Sequence, residues 1–310
     1  MKQQGESYSP VIRCVGLSKN FGPVQAVRSL ELSVRRGEVY GFLGRNGAGK
    51  TTTIRMLLGL VHPEAGRVEL FGETLGRANR KALRRVGCLV EGAAAYRNLT
   101  VRENLEIQRR LTESPPDAVR RAAGLMGLEE LLERRAGRLS LGNKQRLSLA
   151  RAILHVPELL ILDEPANALD PAGIAELRST LRTLVNERGM TIFISSHILS
   201  EVEAIADRIG IIHRGSLIEE LVVAEAGNSS ARALQIEVGD PAAAERLLRG
   251  QQGFGRIEAL GSHGLRIEAD AEAAPALARL LVLAGIELRS MTPVVEGLEQ
   301  HFLRLTEDSE

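Results

Sequence analysis

Apolar and polar residues alternate in short runs over residues 11–70, and Gly and Pro interrupt these runs. The segments VIRCVGL, LELSV and EVYGFLG follow this pattern, which predicts strands joined by tight connections. After Gly49 the pattern becomes helical in KTTTIRMLLGL, and helical periodicity dominates residues 100–154 with breaks at SPPD and at Gly137. The chain is therefore expected to begin with a sheet and to continue into a block of helices.

Two later apolar runs, LLILDEP and MTIFISSH, predict strands that are buried on both faces. The segment AGIAELRSTLRTLVNERG between them predicts a helix that ends at Gly189. A strand, a helix and a second strand in this order predict a parallel sheet with crossover connections. The first part of the chain is therefore expected to be an α/β domain.

Residues 222–230 are mostly small and polar, and we interpret them as a linker between domains at 1–222 and 231–310. The segments that follow are LQIEV, PAAAERLLRG, RIEAL, GLRIEA, AEAAPALARLLVLAG and IELRS, and then a last helix, TPVVEGLEQHFLRLT. Leu234, Ile236 and Val238 alternate at period two, so the order β-α-β-β-α-β predicts a small α+β, ferredoxin-like sandwich. This second domain has no group of His, Cys, Asp or Glu at the spacing of metal or catalytic ligands. We therefore expect it to have a packing or regulatory role and no catalytic one.

Composition narrows the class of protein. Of 310 residues, 44% are hydrophobic and 25% are charged, as in ordinary globular chains. The 40 basic residues nearly balance the 39 acidic ones, so no net field attracts polyanions. Aromatic residues make up only 3% and tryptophan is absent, which leaves few rings for base stacking. Nucleic acid is therefore not an expected partner.

No window approaches the ~18 to 20 continuous apolar residues of a membrane span. The amino terminus lacks the apolar core of a secretory signal, so we expect a cytoplasmic location. Cys14 and Cys88 have no paired spacing, which argues against a disulfide framework or a zinc site. The basic run at 77–86 is interpreted as an amphipathic helix face and not as a nucleic-acid patch, because four apolar residues recur at helical spacing: Leu75, Ala78, Leu83 and Val86.

A phosphate-binding loop is predicted between the strand EVYGFLG and the helix that follows it. The pattern G-x-x-x-x-G-K-[ST] and one further threonine are formed by Gly44, Arg45, Asn46, Gly47, Ala48, Gly49, Lys50, Thr51 and Thr52. An ordinary Gly-rich turn is the alternative, but both required flanks are present. Backbone N–H groups of such a loop converge on an anion, and the helix adds its positive end. We expect Lys50 to contact the β- and γ-phosphates of ATP, Thr51 to ligate Mg²⁺ and Thr52 to support a phosphate oxygen.

Three more side chains are expected at the carboxyl edge of the sheet. Asp163 and Glu164 follow a buried strand, and His197 follows the next one. Asp163 suits Mg²⁺, Glu164 suits the general base that polarises the attacking water, and His197 suits a contact to the γ-phosphate. Solvated acids at a helix cap and a packed histidine are the alternatives, and the phosphate loop ahead of them disfavours both.

Residues Leu139 to Leu147, LSLGNKQRL, resemble the signature motif of ATP-binding cassette (ABC) proteins. The stretch Asn167 to Asp170 resembles the family's D-loop, His197 its switch histidine, and Phe21 the aromatic residue that stacks on adenine. The resemblance covers roughly the first 220 residues. It implies a P-loop NTPase with a RecA-like parallel core, an antiparallel β subdomain and a helical insert at about 91–156.

The same resemblance implies a second cassette, either a copy of this chain or a paralogous chain. Two cassettes would face each other head to tail, and Ser140 and Gly142 of one would meet the nucleotide held by the other, with Asp170 also at that nucleotide. A separately encoded transmembrane permease is the implied partner that ATP hydrolysis drives. The chain would then lie on the inner face of the membrane through that permease.

Three positions depart from the family's pattern. Leu141 replaces a Gly and Asn143 replaces a Gln of the signature, while Glu91 stands where the family's Q-loop has Gln. A carboxylate ligates Mg²⁺ more strongly than an amide does, so Glu91 is expected to join Thr51 and Asp163 as a metal ligand. The alternative is that Glu91 replaces Gln in a polar loop without any effect on function.

Glu91 and the continuation NLTVREN resemble the cassettes of exporters that confer immunity to bacitracin and lantibiotics. The expected function is therefore the ATPase subunit of an exporter of peptide antibiotics or other amphiphilic compounds. The alternatives are a cassette without a transport role, of translation-factor or DNA-repair type, and a metabolic phosphotransferase. A single phosphate loop and the lack of sustained heptads argue against the first, and the signature argues against the second.

Overall fold

The computed structural model describes residues 10–76, 79–90, 95–167, 169–223, 233–251, 253–294 and 298–307. The chain divides into two compact units, Met1–Val223 and Ala224–Glu310. Among the described residues, no helix combines the length and the apolar character needed to span a membrane.

The first unit contains an antiparallel sheet of four strands in the order β2-β1-β4-β5. The strands are β1 (Ile12–Phe21), β2 (Val24–Val34), β4 (Ala65–Leu70) and β5 (Glu73–Thr74). Apolar side chains from this sheet share one buried cluster with residues of the neighbouring parallel sheet, including Leu159, Ile161 and Phe193. The alternation of the sequence thus places one face of β1, β2 and β4 in the core, whereas both residues of β5 are exposed.

A second sheet has the order β10-β9-β3-β8-β7-β6. It consists of β3 (Val39–Leu43), β6 (Val86–Leu89), β7 (Leu159–Asp163), β8 (Thr191–Ser196), β9 (Arg208–His213) and β10 (Ser216–Val222). Strands β9, β3, β8, β7 and β6 are parallel, and β10 is antiparallel to β9. Every residue of β3, β7 and β8 is buried, as the continuous apolar runs predict.

Helices surround these sheets. They are α1 (Lys50–Leu57), α2 (Val101–Leu111), α3 (Ala118–Leu125), α4 (Leu141–Ile153), α5 (Pro171–Arg188) and α6 (Leu199–Glu203). Helices α2, α3 and α4 lie in the block predicted to be helical. Gly189 ends α5 with φ +62°, the left-handed conformation that glycine adopts without strain. The crossover α5 joins β7 to β8 and so aligns the carboxyl ends of both strands.

The second unit has a sheet in the order β12-β13-β11-β14, with all neighbours antiparallel. Its elements are β11 (Ala233–Val238), α7 (Pro241–Leu248), β12 (Ile257–Leu260), β13 (Gly264–Glu268), α8 (Ala274–Leu283), β14 (Leu288–Val294) and α9 (Leu298–Glu307). Leu234, Ile236 and Val238 are fully buried in its core. The described elements follow the β-α-β-β-α-β order.

Two predicted helices are wrong in extent. The sequence pattern predicts a last helix from Thr292, but Thr292, Pro293 and Val294 belong to β14, an edge strand. An edge strand accommodates Pro, which lacks the N–H needed in a helix interior. Within the described part of the basic run, 79–86, only Lys81–Arg85 is helical, as a 3₁₀ turn, and Val86 already belongs to β6. Ala78 lies outside the described residues.

Candidate nucleotide-binding site

The loop between β3 and α1 has the backbone geometry of a phosphate cradle. Gly47 has φ +80° and Gly49 has φ +108°, both in the left-handed region. A Cβ on Gly49 would lie 2.4 Å from the carbonyl oxygen of Ala26 on β2. Strand β2 approaches the loop so closely that only glycine fits at this position.

Lys50 is 5% exposed, and its ammonium group is fully engaged. Nζ donates to the carbonyl oxygen of Gly44 at 2.7 Å and to that of Arg45 at 3.2 Å. It also lies 3.2 Å from Oε1 of Glu164. An ammonium has three donors, so each one has a partner. These contacts hold the lysine side chain against the loop and beside Glu164.

A cleft of about 450 Å³ opens at this loop. Predicted residues that line it include Asn46, Gly47, Gly49, Lys50, Thr51, Thr52 and Glu164. The rest of the lining comes from the start of β2 and from the turn between β9 and β10, and sequence reasoning missed it. These lining residues are Pro23, Val24, Gln25, Ala26, Arg28 and Arg214. No motif marks these residues, because their part in the cleft depends on how β2 and the β9–β10 turn pack against the loop. Gly44, Arg45 and Ala48 belong to the loop without lining the cleft.

Asp163 ends β7 and is 6% exposed. The hydroxyl of Ser195 on β8 donates to its Oδ1 at 2.6 Å. The backbone N–H of Glu164 donates to Ser195 as well, with 3.2 Å to the carbonyl oxygen and 3.1 Å to Oγ. Ser195 therefore orients the carboxylate of Asp163 and holds the backbone at Glu164. Sequence reasoning missed it, although the parallel register that pairs it with Asp163 follows from the two buried strands.

Glu164 adopts φ +47°, which is uncommon for a residue other than glycine. The Asn167 side-chain amide donates to Oε2, and Nδ1 of His197 lies 3.2 Å from the same oxygen. Burial by itself raises the pKa of Glu164, but the Asn167 hydrogen bond and the Lys50 charge outweigh it and lower the pKa overall. The structure thus brings together Lys50, Glu164 and His197, as the sequence predicts.

The signature segment begins helix α4. Ser140 is its N-cap and is exposed, with Oγ accepting the backbone N–H of Asn143 at 3.3 Å. Leu141, which stands where the family's signature has Gly, is 57% exposed. Within α4, buried Gln145 donates from Nε2 to the carbonyl oxygen of Pro165 at 2.8 Å, which ties the helix to the loop after Glu164.

Four predicted residues remain, and they lie apart from the cleft or outside the described chain. Gly142 is in the first turn of α4. Phe21 is 48% exposed at the end of β1, with Nζ of Lys19 at 5.4 Å from its ring centroid. Its strand partner Val24 lines the cleft, whereas Phe21 does not. Asp170 is the N-cap of α5, and its Oδ1 accepts the N–H of Gly173 at 2.8 Å. Glu91 lies outside the described residues.

The parallel sheet, the loop with its buried lysine and the acidic pair at the sheet edge define a P-loop nucleoside-triphosphatase fold. The family model described as ABC transporter matches residues 27–167. The chain is 42% identical over 298 residues to the bacitracin transport ATP-binding protein BcrA of Bacillus licheniformis, covering 96% of this chain and 97% of that protein. It therefore belongs to the ABC transporter ATP-binding family.

Other relatives agree. The lantibiotic transport ATP-binding protein SrtF of Streptococcus pyogenes is 38% identical over 210 residues, which is 68% of this chain and 90% of that protein. Among solved structures, cbiO1 of Clostridium perfringens, part of the ABC transporter complex cbiONQ, matches with a TM-score of 0.64 at 25% identity, over 71% of this chain and 92% of that chain. MJ0796, solved as a dimeric bacterial ABC transporter cassette, matches with a TM-score of 0.63 at 23% identity. The match covers 68% of this chain and 98% of that chain and supports the fold.

Proposed function

We propose that this chain is the ATP-binding and ATP-hydrolysing subunit of a transporter, that it powers a separately encoded membrane permease, and that the transporter exports a peptide antibiotic or another amphiphilic compound. The observation that carries the ATPase assignment is the contact of Glu164 with both Lys50 and His197 in a cleft formed by a phosphate loop. The transport assignment draws on relatives named for bacitracin and lantibiotic transport, one of which aligns over 96% of this chain.

The ion pair between Lys50 and Glu164 explains how binding and hydrolysis would follow each other. An incoming β- or γ-phosphate competes with the carboxylate for the ammonium of Lys50, because both are anions that it can bind. Glu164 is then released to orient and polarise the attacking water. His197, whose Nδ1 lies 3.2 Å from Oε2 of Glu164, would contact the γ-phosphate.

Hydroxyl and carboxylate oxygens suit Mg²⁺, so Thr51 and Asp163 fit this ion, and Glu91 is the third residue of the proposed set. Bound there, Mg²⁺ would neutralise developing charge on the phosphates. Ser195 contributes by holding the carboxylate of Asp163 in one orientation through its 2.6 Å hydrogen bond.

A second cassette would complete the site. Ser140 is exposed at the amino end of α4 and does not line the cleft of its own chain. A free helix N-terminus with a serine suits a γ-phosphate held by another subunit. We therefore place Ser140 and Gly142 at the interface of a head-to-tail dimer, with Asp170 beside it and Phe21 stacked on the adenine base. This dimer would be attached to the inner face of the membrane through the permease. Hydrolysis would remove the γ-phosphate that joins the two halves.

Co-expression of this chain with a multi-span permease that co-purifies with it, in a bacitracin-sensitive bacterium, tests the proposal. The parent pair should raise the tolerated bacitracin concentration, and the purified complex should hydrolyse ATP faster with peptide present. Lys50→Ala and Glu164→Gln should abolish protection, while Glu187→Gln, an exposed acid on α5, should retain it. Protection that survives Lys50→Ala would contradict ATP-driven export, and a complex without ATPase activity would contradict the enzymatic assignment.

A further inference from the structure

Two arginines on the wall of the cleft have no part in the contacts among Lys50, Glu164 and His197. Arg28 lies on β2 and Arg214 lies in the turn between β9 and β10, and both line the cleft. Both residues are exposed. Within the described part of the chain, neither guanidinium group has a hydrogen bond or an ion pair. Two cations without partners in a binding cleft require an explanation.

Their position along the cleft follows from the backbone. The backbone N–H of Arg28 donates to the carbonyl oxygen of Gly215 at 2.8 Å. The backbone N–H of Gly215 donates in turn to the carbonyl oxygen of Ala48 at 2.9 Å. Strand β2 and the β9–β10 turn are thus fastened to the Gly47–Gly49 part of the loop. In the proposed function Lys50 and Glu164 act at the γ-phosphate, so they would mark that end of the cleft. Arg28 and Arg214 lie on the wall that also contains Val24, the strand partner of Phe21, and this wall would face the nucleoside end.

The turn that carries Arg214 also departs from its local preference. Arg214 has φ +46° and Gly215 has φ +84°, the two positive values of a type I′ hairpin turn. Asn, Asp or Gly is favoured at the first of these positions, because a side chain such as Arg is strained there. The pKa of His213 is lowered by burial and then by the charges of Arg214 and Arg45, which indicates a positive field beside the loop. A strained residue that adds charge to a binding cleft is typical of a functional position.

We propose that Arg28 and Arg214 bind the α-phosphate of the nucleotide, a contact that ADP and ATP share. This inference rests on the proposed ATP-binding function and adds two specific binding residues to it. Backbone N–H groups of the loop cradle the α- and β-phosphates, and Lys50 reaches the β- and γ-phosphates, so charge from β2 and the turn would complete the α end. A guanidinium donates in a fork that matches two phosphate oxygens.

The test measures ADP and ATP binding by titration calorimetry with the full chain at low and high salt. Arg28→Gln and Arg214→Asn should each lower the affinity for ADP and for ATP about threefold to tenfold. The loss should be larger at low salt, where charge is screened least. Arg214→Lys should recover part of the affinity. Arg13→Gln is the matched control, because Arg13 is exposed on neighbouring β1 and lies outside the cleft.

The Arg214→Asn variant distinguishes a loss of charge from a loss of folding stability. Asn suits a type I′ turn better than Arg does, so this variant should melt at or above the parent temperature while binding more weakly. Unchanged affinity for both nucleotides in Arg28→Gln and Arg214→Asn would overturn the inference. Weaker ATP binding with unchanged ADP binding would also overturn it, because that result places the arginines at the γ-phosphate. A parent chain that binds neither nucleotide would instead contradict the proposed function.

Discussion

The ammonium nitrogen of Lys50 lies 3.2 Å from Oε1 of Glu164, so the lysine of the phosphate loop and the acid after β7 form an ion pair inside the cleft. The lysine is 5% exposed and the glutamate side chain 22% exposed, which leaves little water to screen their attraction. In the proposed function, an incoming phosphate displaces this carboxylate from Lys50. The same contact therefore links nucleotide binding to the release of the proposed general base.

Replacing Glu164 by Gln should separate binding from turnover. The amide removes the anion that competes with phosphate for Lys50, so ATP should bind at least as tightly as to the parent. Without a general base, kcat should fall by ~10² to 10⁴. Calorimetry with ATP and a phosphate-release assay measure the two effects, with Glu187→Gln as the control. A Glu164→Gln protein that turns over ATP at the parent rate would refute the assignment.

Replacing Ser140 by Asp should abolish ATP-driven dimerisation while preserving the fold. Asp caps a helix as well as Ser does, so α4 should keep the stability that Ser140→Ala loses, about 1 kcal/mol. The carboxylate would, however, face the γ-phosphate bound by the other cassette, and like charges repel. Analytical ultracentrifugation with ATP in the Glu164→Gln background should show a dimer that disappears in the Ser140→Asp double variant. A dimer of undiminished affinity would exclude Ser140 from the interface.

Two glycines of the loop should differ in their tolerance of alanine. At Gly49, φ +108° and the 2.4 Å approach of the Ala26 oxygen both oppose a Cβ, so Gly49→Ala should cost roughly 3 kcal/mol or more. At Gly47, φ is +80° and no described atom lies within 4 Å of the added Cβ, so the cost should be only the backbone strain of about 1 to 2 kcal/mol. Urea unfolding of both variants compares the two costs, and equal costs would contradict the close approach of β2.

Glu158 should contribute to stability only above acid pH. Hydrogen bonds from Arg85 and then from Arg36 lower the pKa of Glu158 to about 2. A folded-state pKa below the unfolded value of about 4.3 means that the contribution is complete above ~4.3 and is lost as the pH falls towards 2. Because the carboxylate is 42% exposed, Glu158→Gln should cost below about 1 kcal/mol at neutral pH.

Urea midpoints measured across this pH range should converge for Glu158→Gln and the parent as the pH is lowered. Glu187→Gln is a suitable control, since Glu187 is exposed and has no ion pair in the described chain. A difference between Glu158→Gln and the parent that grows towards low pH would contradict the expected direction of this pH dependence.

Local pattern accounts for most elements of the fold. The continuous apolar runs of β7 and β8 predict buried parallel strands, because such strands contact helices on both faces. The pattern predicts the end of the helix at 172–189 to within a residue, since Gly189 gives an unambiguous stop. It predicts helix for Thr292 to Val294, which are strand, because pairing with β11 overrides local preference at an edge.

Spacing along one segment identifies the phosphate loop, and position at a strand end identifies the acidic pair and the histidine. The residues that surround them follow instead from the packing of distant parts of the chain. Ser195 orients Asp163 because β8 pairs with β7, and Arg28 and Arg214 enter the cleft because β2 and the β9–β10 turn pack on Gly49. These contacts join residues more than a hundred positions apart in places, and no local spacing encodes them, since they depend on strand register and on the close approach of separate backbones.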